Sequence, residues 1–194
     1  MLYQDRREAG QALAQLVAAL PNLENAIVLG LPRGGVPVAF EVARACGSPL
    51  DILAVRKLGA PGLKELAVGA VASGGVVVLN RDILHILHLS EEELRKIAEK
   101  EIAEIARIER DLRAGYLPLE IEECTAILVD DGLATGATMK AAARAVRRHA
   151  TQVIIAVPVA AARTCRELES EADLIICASA PEPFEAVGRF QLYS

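Results

Sequence analysis

The chain has no tryptophan and only three Phe and three Tyr among its 194 residues. Base-stacking platforms along a nucleic-acid strand need more rings than that, which argues against a single-strand binder. Positive charge is also short. Lys and Arg number 21 against 26 Asp and Glu, a net charge of −5 and the wrong sign for a protein held by a phosphate backbone. Any anion must therefore be gripped by a local site. The four cysteines, Cys46, Cys124, Cys165 and Cys177, stand far apart, with no Cys-x-x-Cys and no His pair nearby. That spacing disfavours a zinc set or a disulfide framework and suits small apolar residues in a reducing compartment. The longest apolar run, Val153 to Ala162, is about half of what a bilayer span requires and contains Pro158. The amino terminus turns charged at Asp5-Arg6-Arg7-Glu8, unlike a secretory signal. A cytoplasmic protein with neither nucleic-acid nor membrane partners is expected.

What is present is ample core: 53% of the residues are apolar, enough for one domain of this length. Short apolar runs alternate with helical patterns. Ala26 to Leu29, Leu50 to Val55, Ala126 to Val129, Val153 to Val157 and Leu174 to Cys177 read as strands. They lack polar alternation, so both faces are covered, as in the mostly parallel sheet of an α/β fold with helices on both faces. Helices are expected from about Gln4 to Leu20, Val36 to Cys46 (stopped by Gly47), Ala137 to His149 and Ala162 to Ser170. The basic cluster Arg144, Arg147, Arg148 and His149 suits the negative end of a helix dipole.

Two segments break the alternation. Leu66 to Ala72 and Val76 to Leu79, joined by Ser73-Gly74-Gly75, predict a β-hairpin. Ser90-Glu91-Glu92-Glu93 is a capping box opening a long helix, about 90–114. Leu94, Ile97, Ile102, Ile105, Ile108 and Leu112 form its apolar stripe, which suits packing on the sheet or on a second subunit, so a homodimer is expected.

The chemistry concentrates in Val129-Asp130-Asp131-Gly132-Leu133-Ala134-Thr135-Gly136-Ala137-Thr138. An apolar strand ends in two acids, a loop of small residues follows, and a helix begins near Gly136. Free N–H groups there, with the Thr135 and Thr138 hydroxyls, make a phosphate cradle. It is neither a Walker loop nor G-x-G-x-x-G. Twin acids beside an anion site are electrostatically costly unless they serve another purpose. Accepting hydrogen bonds from a cis-diol, or lying near a Mg²⁺ that carries further phosphate, supplies one, and cradle plus diol acids point to a ribose 5-phosphate.

This stretch resembles the phosphoribosyl pyrophosphate (PRPP) loop of type I phosphoribosyltransferases, and the likeness runs from about Ala26 to Val159, nearest to small stand-alone bacterial members of unassigned acceptor. Leu29-Gly30-Leu31-Pro32-Arg33-Gly34-Gly35 is similar to that family's pyrophosphate loop, which often holds a cis non-proline bond, here Pro32–Arg33. Val55-Arg56-Lys57 resembles its pyrophosphate-contacting pair, and the Gly/Pro-rich stretch beyond, within about 56–76, its lid. The segment Asp5-Arg6-Arg7-Glu8-Ala9-Gly10 is similar in the same bacterial group but carries no assignable chemistry.

The resemblance implies a single domain of the type I phosphoribosyltransferase fold and displacement of Mg²⁺-pyrophosphate from PRPP by a ring nitrogen of a nucleobase-like acceptor. By that implication Asp130, Asp131, Arg56 and Lys57 are catalytic. Ala134, Thr135, Gly136, Ala137 and Thr138 hold the 5-phosphate, while Arg33, Gly34, Gly35, Arg56 and Lys57 hold pyrophosphate. Purine enzymes of the hypoxanthine–guanine kind carry an Asp where this chain has Ala134; Leu133-Ala134-Thr135-Gly136 looks more like the uracil enzymes. The acceptor hood is expected near Pro183-Phe184 and Val187, with Phe184 and Val187 touching the base. The competing expectation is a regulatory protein that binds PRPP or a nucleotide on the same fold without transfer.

Overall fold

The computed structural model of the chain describes residues 3–181. Five parallel strands form the central sheet: β1 (Ala26–Gly30), β2 (Leu50–Ile52), β6 (Thr125–Val129), β7 (Gln152–Val159) and β8 (Leu174–Ser179). Their order across the sheet is β2-β1-β6-β7-β8. Between β2 and β6 the chain builds a second, antiparallel sheet from β3 (Val55–Ala60), β4 (Leu63–Ala72) and β5 (Val76–Leu79). The expected hairpin is β4 and β5, turning at Ser73–Gly75. The run expected as one strand over Leu50 to Val55 instead divides: β2 ends at Ile52 and Val55 opens β3 in the other sheet.

Neighbouring residues of each central strand enter different cores. Val28, Ile127 and Ile154 face α1 (Arg6–Ala18) and α2 (Gly35–Cys46), against Leu13, Val17, Val38 and Val42. Leu29, Leu128 and Ile155 face the opposite side, with Met139 and Val146 of α5 (Ala137–Val146) and Leu168 of α6 (Ala162–Leu168). That two-sided burial is why the strands show no polar alternation. The basic end of α5 does more than complement a dipole: Arg144 pairs with Glu171, Arg147 with Asp173 at the start of β8, and His149 with Glu122.

A short helix, α3 (Arg81–Leu87), capped by Asn80, precedes the long one. The long helix α4 (Glu91–Arg113) opens with the complete Ser90/Glu93 capping box. Its stripe packs within the chain. Ile105 is buried with Leu58, Val68 and Val71 of the antiparallel sheet, and Leu94, Ile97 and Ile108 lie against them. Ile102 and Leu112, expected in the same stripe, are exposed. The buried part of the stripe is thus covered by the second sheet of the same chain. Among the described residues no helix is long and apolar enough to cross a membrane.

Candidate functional site

The strand order reverses between β1 and β6, since the chain runs outward through β2 on one side and through β7 and β8 on the other. Loops leaving the carboxyl ends of two such strands diverge and leave a crevice, which is where open parallel sheets take ligands. Residues 31–34 and 130–136 are those two loops.

Their tightest approach is at Gly34. A Cβ on Gly34 would lie 2.1 Å from Asp131 Oδ2 and 2.5 Å from its Cγ, so the Asp131 carboxylate occupies the space a side chain at Gly34 would fill. Gly34 itself has ordinary helical dihedrals (φ −65°, ψ −35°), so the requirement is room rather than a special conformation. The Pro32–Arg33 peptide is cis, as the loop's likeness implied. Gly35 also lies close to the start of that loop, its hypothetical Cβ 2.6 Å from the Val129 carbonyl at the end of β6 and 2.8 Å from Asp130 Cα. Arg33 is exposed.

The two acids have different surroundings. Asp130 accepts a 2.8 Å hydrogen bond from the Asp131 N–H, but burial, and then the neighbouring Asp131 charge, push its carboxyl up to about 7. Asp131 accepts from Arg6 Nε at 2.9 Å, with a second guanidinium nitrogen 2.8 Å away. Arg6 is the functional-site contact that sequence reasoning missed. One signal for it existed. Arg6 and Arg7 stand in the first turn of α1, where the helix dipole repels cations, so each needs a partner elsewhere. Arg7 has one in the buried Glu41 of α2, 3.4 Å away.

Beyond the acids the backbone turns through Gly136, the N-cap of α5, in the left-handed region (φ +67°). A Cβ there would also strike Thr164 Cγ2 at 2.7 Å, so glycine is required by conformation and by space. Without a capping side chain, the first N–H groups of α5 are left for a ligand. Residues Asp130 and Gly132 to Met139 line a cavity of about 150 Å³, which brings Ala134, Thr135, Gly136, Ala137 and Thr138 together. From α6, the buried Thr164 hydroxyl donates 2.6 Å to the Ala134 carbonyl and ties the loop from behind. Thr164→Val, which keeps the shape and removes the donor, is expected to lower stability by about 1–3 kcal/mol. An unchanged thermal midpoint would show that the loop does not need this tie.

The structure places the two cations of the pair apart. Arg56 and Lys57 are consecutive on β3, so they point to opposite faces. Arg56 Nε donates to Glu101 of α4 at 2.9 Å. Glu104, one turn further on, is held below its ordinary carboxylate value first by a hydrogen bond from Arg107 and further by the charges of Arg107, Arg56 and Arg33. Lys57 instead lines a cleft of about 840 Å³ that also reaches Thr135 and Thr138. Phe184 and Val187 lie outside the described residues.

The phosphoribosyl transferase domain family matches this sequence over residues 3–194. The chain belongs to the phosphoribosyltransferase family. Protein TT1426 of Thermus thermophilus is 40% identical and superimposes with a TM-score of 0.87, covering 100% of this chain and 91% of that one. A Mycobacterium tuberculosis protein named as a candidate phosphoribosyl transferase is 43% identical over 189 residues, 97% of this chain and 42% of its own length. The chain thus spans less than half of that mycobacterial relative. The purine phosphoribosyltransferase of Pyrococcus horikoshii, at 15% identity and a TM-score of 0.50, shares the fold alone, covering 96% of both chains. The central sheet with its helices is accordingly the type I phosphoribosyltransferase fold. Within that fold the crevice between β1 and β6 is the candidate site, and the acceptor is the part the family leaves open.

Proposed function

We propose that this phosphoribosyltransferase moves the 5-phosphoribosyl group of PRPP to a ring nitrogen of a nucleobase-like acceptor. The C1–O bond to pyrophosphate breaks with its electron pair leaving on pyrophosphate, a C1–N bond forms, and the acceptor nitrogen gives up its proton to water. The observation that carries this reading is the junction of the two loops, where Asp131 fills the space beside Gly34 and the neighbouring Asp130 lines the small-residue cavity of the second loop.

In this reading the N–H groups from Ala134 to Thr138, with the Thr135 and Thr138 hydroxyls, take the 5-phosphate at the positive end of α5. Asp130 and Asp131 accept from the ribose hydroxyls and face the positive charge that develops on the ring as pyrophosphate departs. The amides of Gly34 and Gly35 and the Arg33 guanidinium receive pyrophosphate. Lys57 reaches over the phosphate-loop cleft, and Arg56 joins pyrophosphate by exchanging its Glu101 partner for a more highly charged anion. The β3–β4 hairpin serves as the lid that keeps water from the reacting carbon. No cluster of three or more His, Cys, Asp or Glu side chains suited to a metal occurs among the described residues. Two adjacent carboxylates beside an anion site do fit Mg²⁺, which takes one or two protein carboxylates and fills its remaining positions with substrate oxygens and water. Asp130 and Asp131 would hold it, and when bound it neutralises the leaving pyrophosphate.

Incubating the protein with PRPP, Mg²⁺ and single nucleobases, and reading pyrophosphate release, tests the proposal. Release that depends on one class of base is the expected result, with the Ala134 position favouring bases other than hypoxanthine and guanine. PRPP binding by calorimetry without release for any base would favour the regulatory reading, and no binding would remove both.

A further inference from the structure

The segment Asp5-Arg6-Arg7-Glu8-Ala9-Gly10 had no chemistry on sequence grounds, and the structure gives each of its parts a place. Tyr3 is buried, with its hydroxyl 3.5 Å from the Pro158 carbonyl near the carboxyl end of β7. Asp5 caps α1 by accepting from the Glu8 N–H at 2.8 Å. Gly10 lets α1 press on α2, since a Cβ there would meet Glu41 Cβ at 3.0 Å and Val38 Cα at 3.1 Å. Helix α1 is therefore a fixed platform lying along the sheet, and its first residue leans over the sheet's carboxyl edge.

Arg6 reaches Asp131 from that platform across 125 positions of sequence. Two of its nitrogens converge on one oxygen, Oδ2, the same atom that lies against Gly34. That carboxylate is thus clamped between the loop after β1 and the start of α1. Both partners are sheltered, the arginine side chain 31% exposed and the aspartate 19%, so the pair is less screened than a surface ion pair. A cation in the first turn of a helix works against the dipole, so the contact with Asp131 must outweigh that cost for the arrangement to hold.

We propose that Arg6 is a positioning residue of the phosphoribosyl site: it clamps the Asp131 carboxylate at the junction of the two loops, so that the acid meets the sugar hydroxyls already oriented. This rests on the reading of the crevice as a PRPP site. A mobile Asp131 would need to be ordered by each incoming sugar, and that ordering is lost from affinity and from turnover.

The test compares the wild-type protein with Arg6→Ala and Arg6→Lys, by calorimetry with PRPP and Mg²⁺ and by kcat and KM taken separately. Arg6→Ala is expected to weaken PRPP binding by roughly tenfold to a hundredfold, the range for losing a charged hydrogen bond. Arg6→Lys restores the charge without the two-nitrogen clamp, so affinity recovers only in part. Carbon-13 NMR of the aspartate carboxyls at one fixed pH, done on the ligand-free proteins, supplies a readout that does not need PRPP. A changed Asp131 carboxyl resonance in Arg6→Ala, partly restored in Arg6→Lys, is expected there. PRPP affinity unchanged in Arg6→Ala would overturn the proposal. A wild-type protein that fails to bind PRPP would instead remove the site reading, while the NMR comparison still reports whether Arg6 holds Asp131. Leu13 and Val17 keep α1 in the core in either variant, and a thermal midpoint within a few degrees of wild type is the expected sign of intact folding.

Discussion

Replacing Gly34 with alanine is expected to lower kcat/KM for PRPP by about a hundredfold or more. The added carbon would sit 2.1 Å from Asp131 Oδ2, far inside van der Waals contact, and the backbone dihedrals at Gly34 offer no compensating relief because alanine already tolerates them. Asp131 cannot simply swing aside, since Arg6 holds the same oxygen at 2.8–2.9 Å. Either the loop after β1 or the acid must move by about an ångström, and displacements of that size at a reacting centre cost on the order of a hundredfold. The effect belongs to turnover more than to folding, because the clash lies at the crevice rim and the strands beneath remain packed. Initial rates of pyrophosphate release beside a thermal melt measure both. A Gly34→Ala protein retaining half of the parent's activity would mean that the two loops do not act together.

Asp130→Asn is expected to inactivate the protein and stabilise it at the same time. In the fold Asp130 titrates near 7, against an ordinary carboxyl value of 3.8 in the unfolded chain, chiefly because burial penalises its charge and then because Asp131 repels it. Between those pH values the native state keeps a proton that the unfolded chain has released, so stability falls as pH rises from about 4 to 7 and stays low above that. Asparagine has no charge to bury. At pH 8 the variant is expected to be more stable by about 2–4 kcal/mol, with the difference vanishing near pH 4. The amide oxygen of the new side chain can still accept from the Asp131 N–H, so the turn is kept. Activity is expected to drop by about a hundredfold to a thousandfold through loss of a charge aimed at the developing cation. Denaturant melts at the two pH values, paired with rates, decide it; an Asp130→Asn protein less stable than the parent at pH 8 would remove the claim that this acid is kept at a cost to the fold.

Much of the molecule is legible from local pattern. The apolar runs at Ala26, Ala126, Val153 and Leu174 became strands of one parallel sheet, because a strand covered on both faces has no use for polar residues. Ser90 and Glu93 closed the capping box of α4, since that motif is completed within four residues. The loops at Arg33 and Asp130 were likewise visible, because glycine and small side chains between a strand and a helix have few other uses. Harder to read was Leu50 to Val55. Its hydrophobicity is continuous, yet β2 and β3 belong to different sheets. Apolar character says that a residue is buried, not which sheet buries it.

The same distinction holds at the site. Short-range chemistry by itself determined the small-residue loop after β6, the twin acids that open it, the capping residues and the strands that carry them, because each depends on neighbours a few positions away. Tertiary structure alone decided that Arg6 clamps Asp131, that Arg56 turns to Glu101 while Lys57 turns to the cleft, and that Leu94, Ile97, Ile105 and Ile108 of α4 are covered by the antiparallel sheet. Those outcomes depend on which distant surfaces meet. A guanidinium can satisfy any carboxylate, and an apolar stripe any apolar face, so the partner is chosen only when the packing of helices on the sheets brings one candidate within reach.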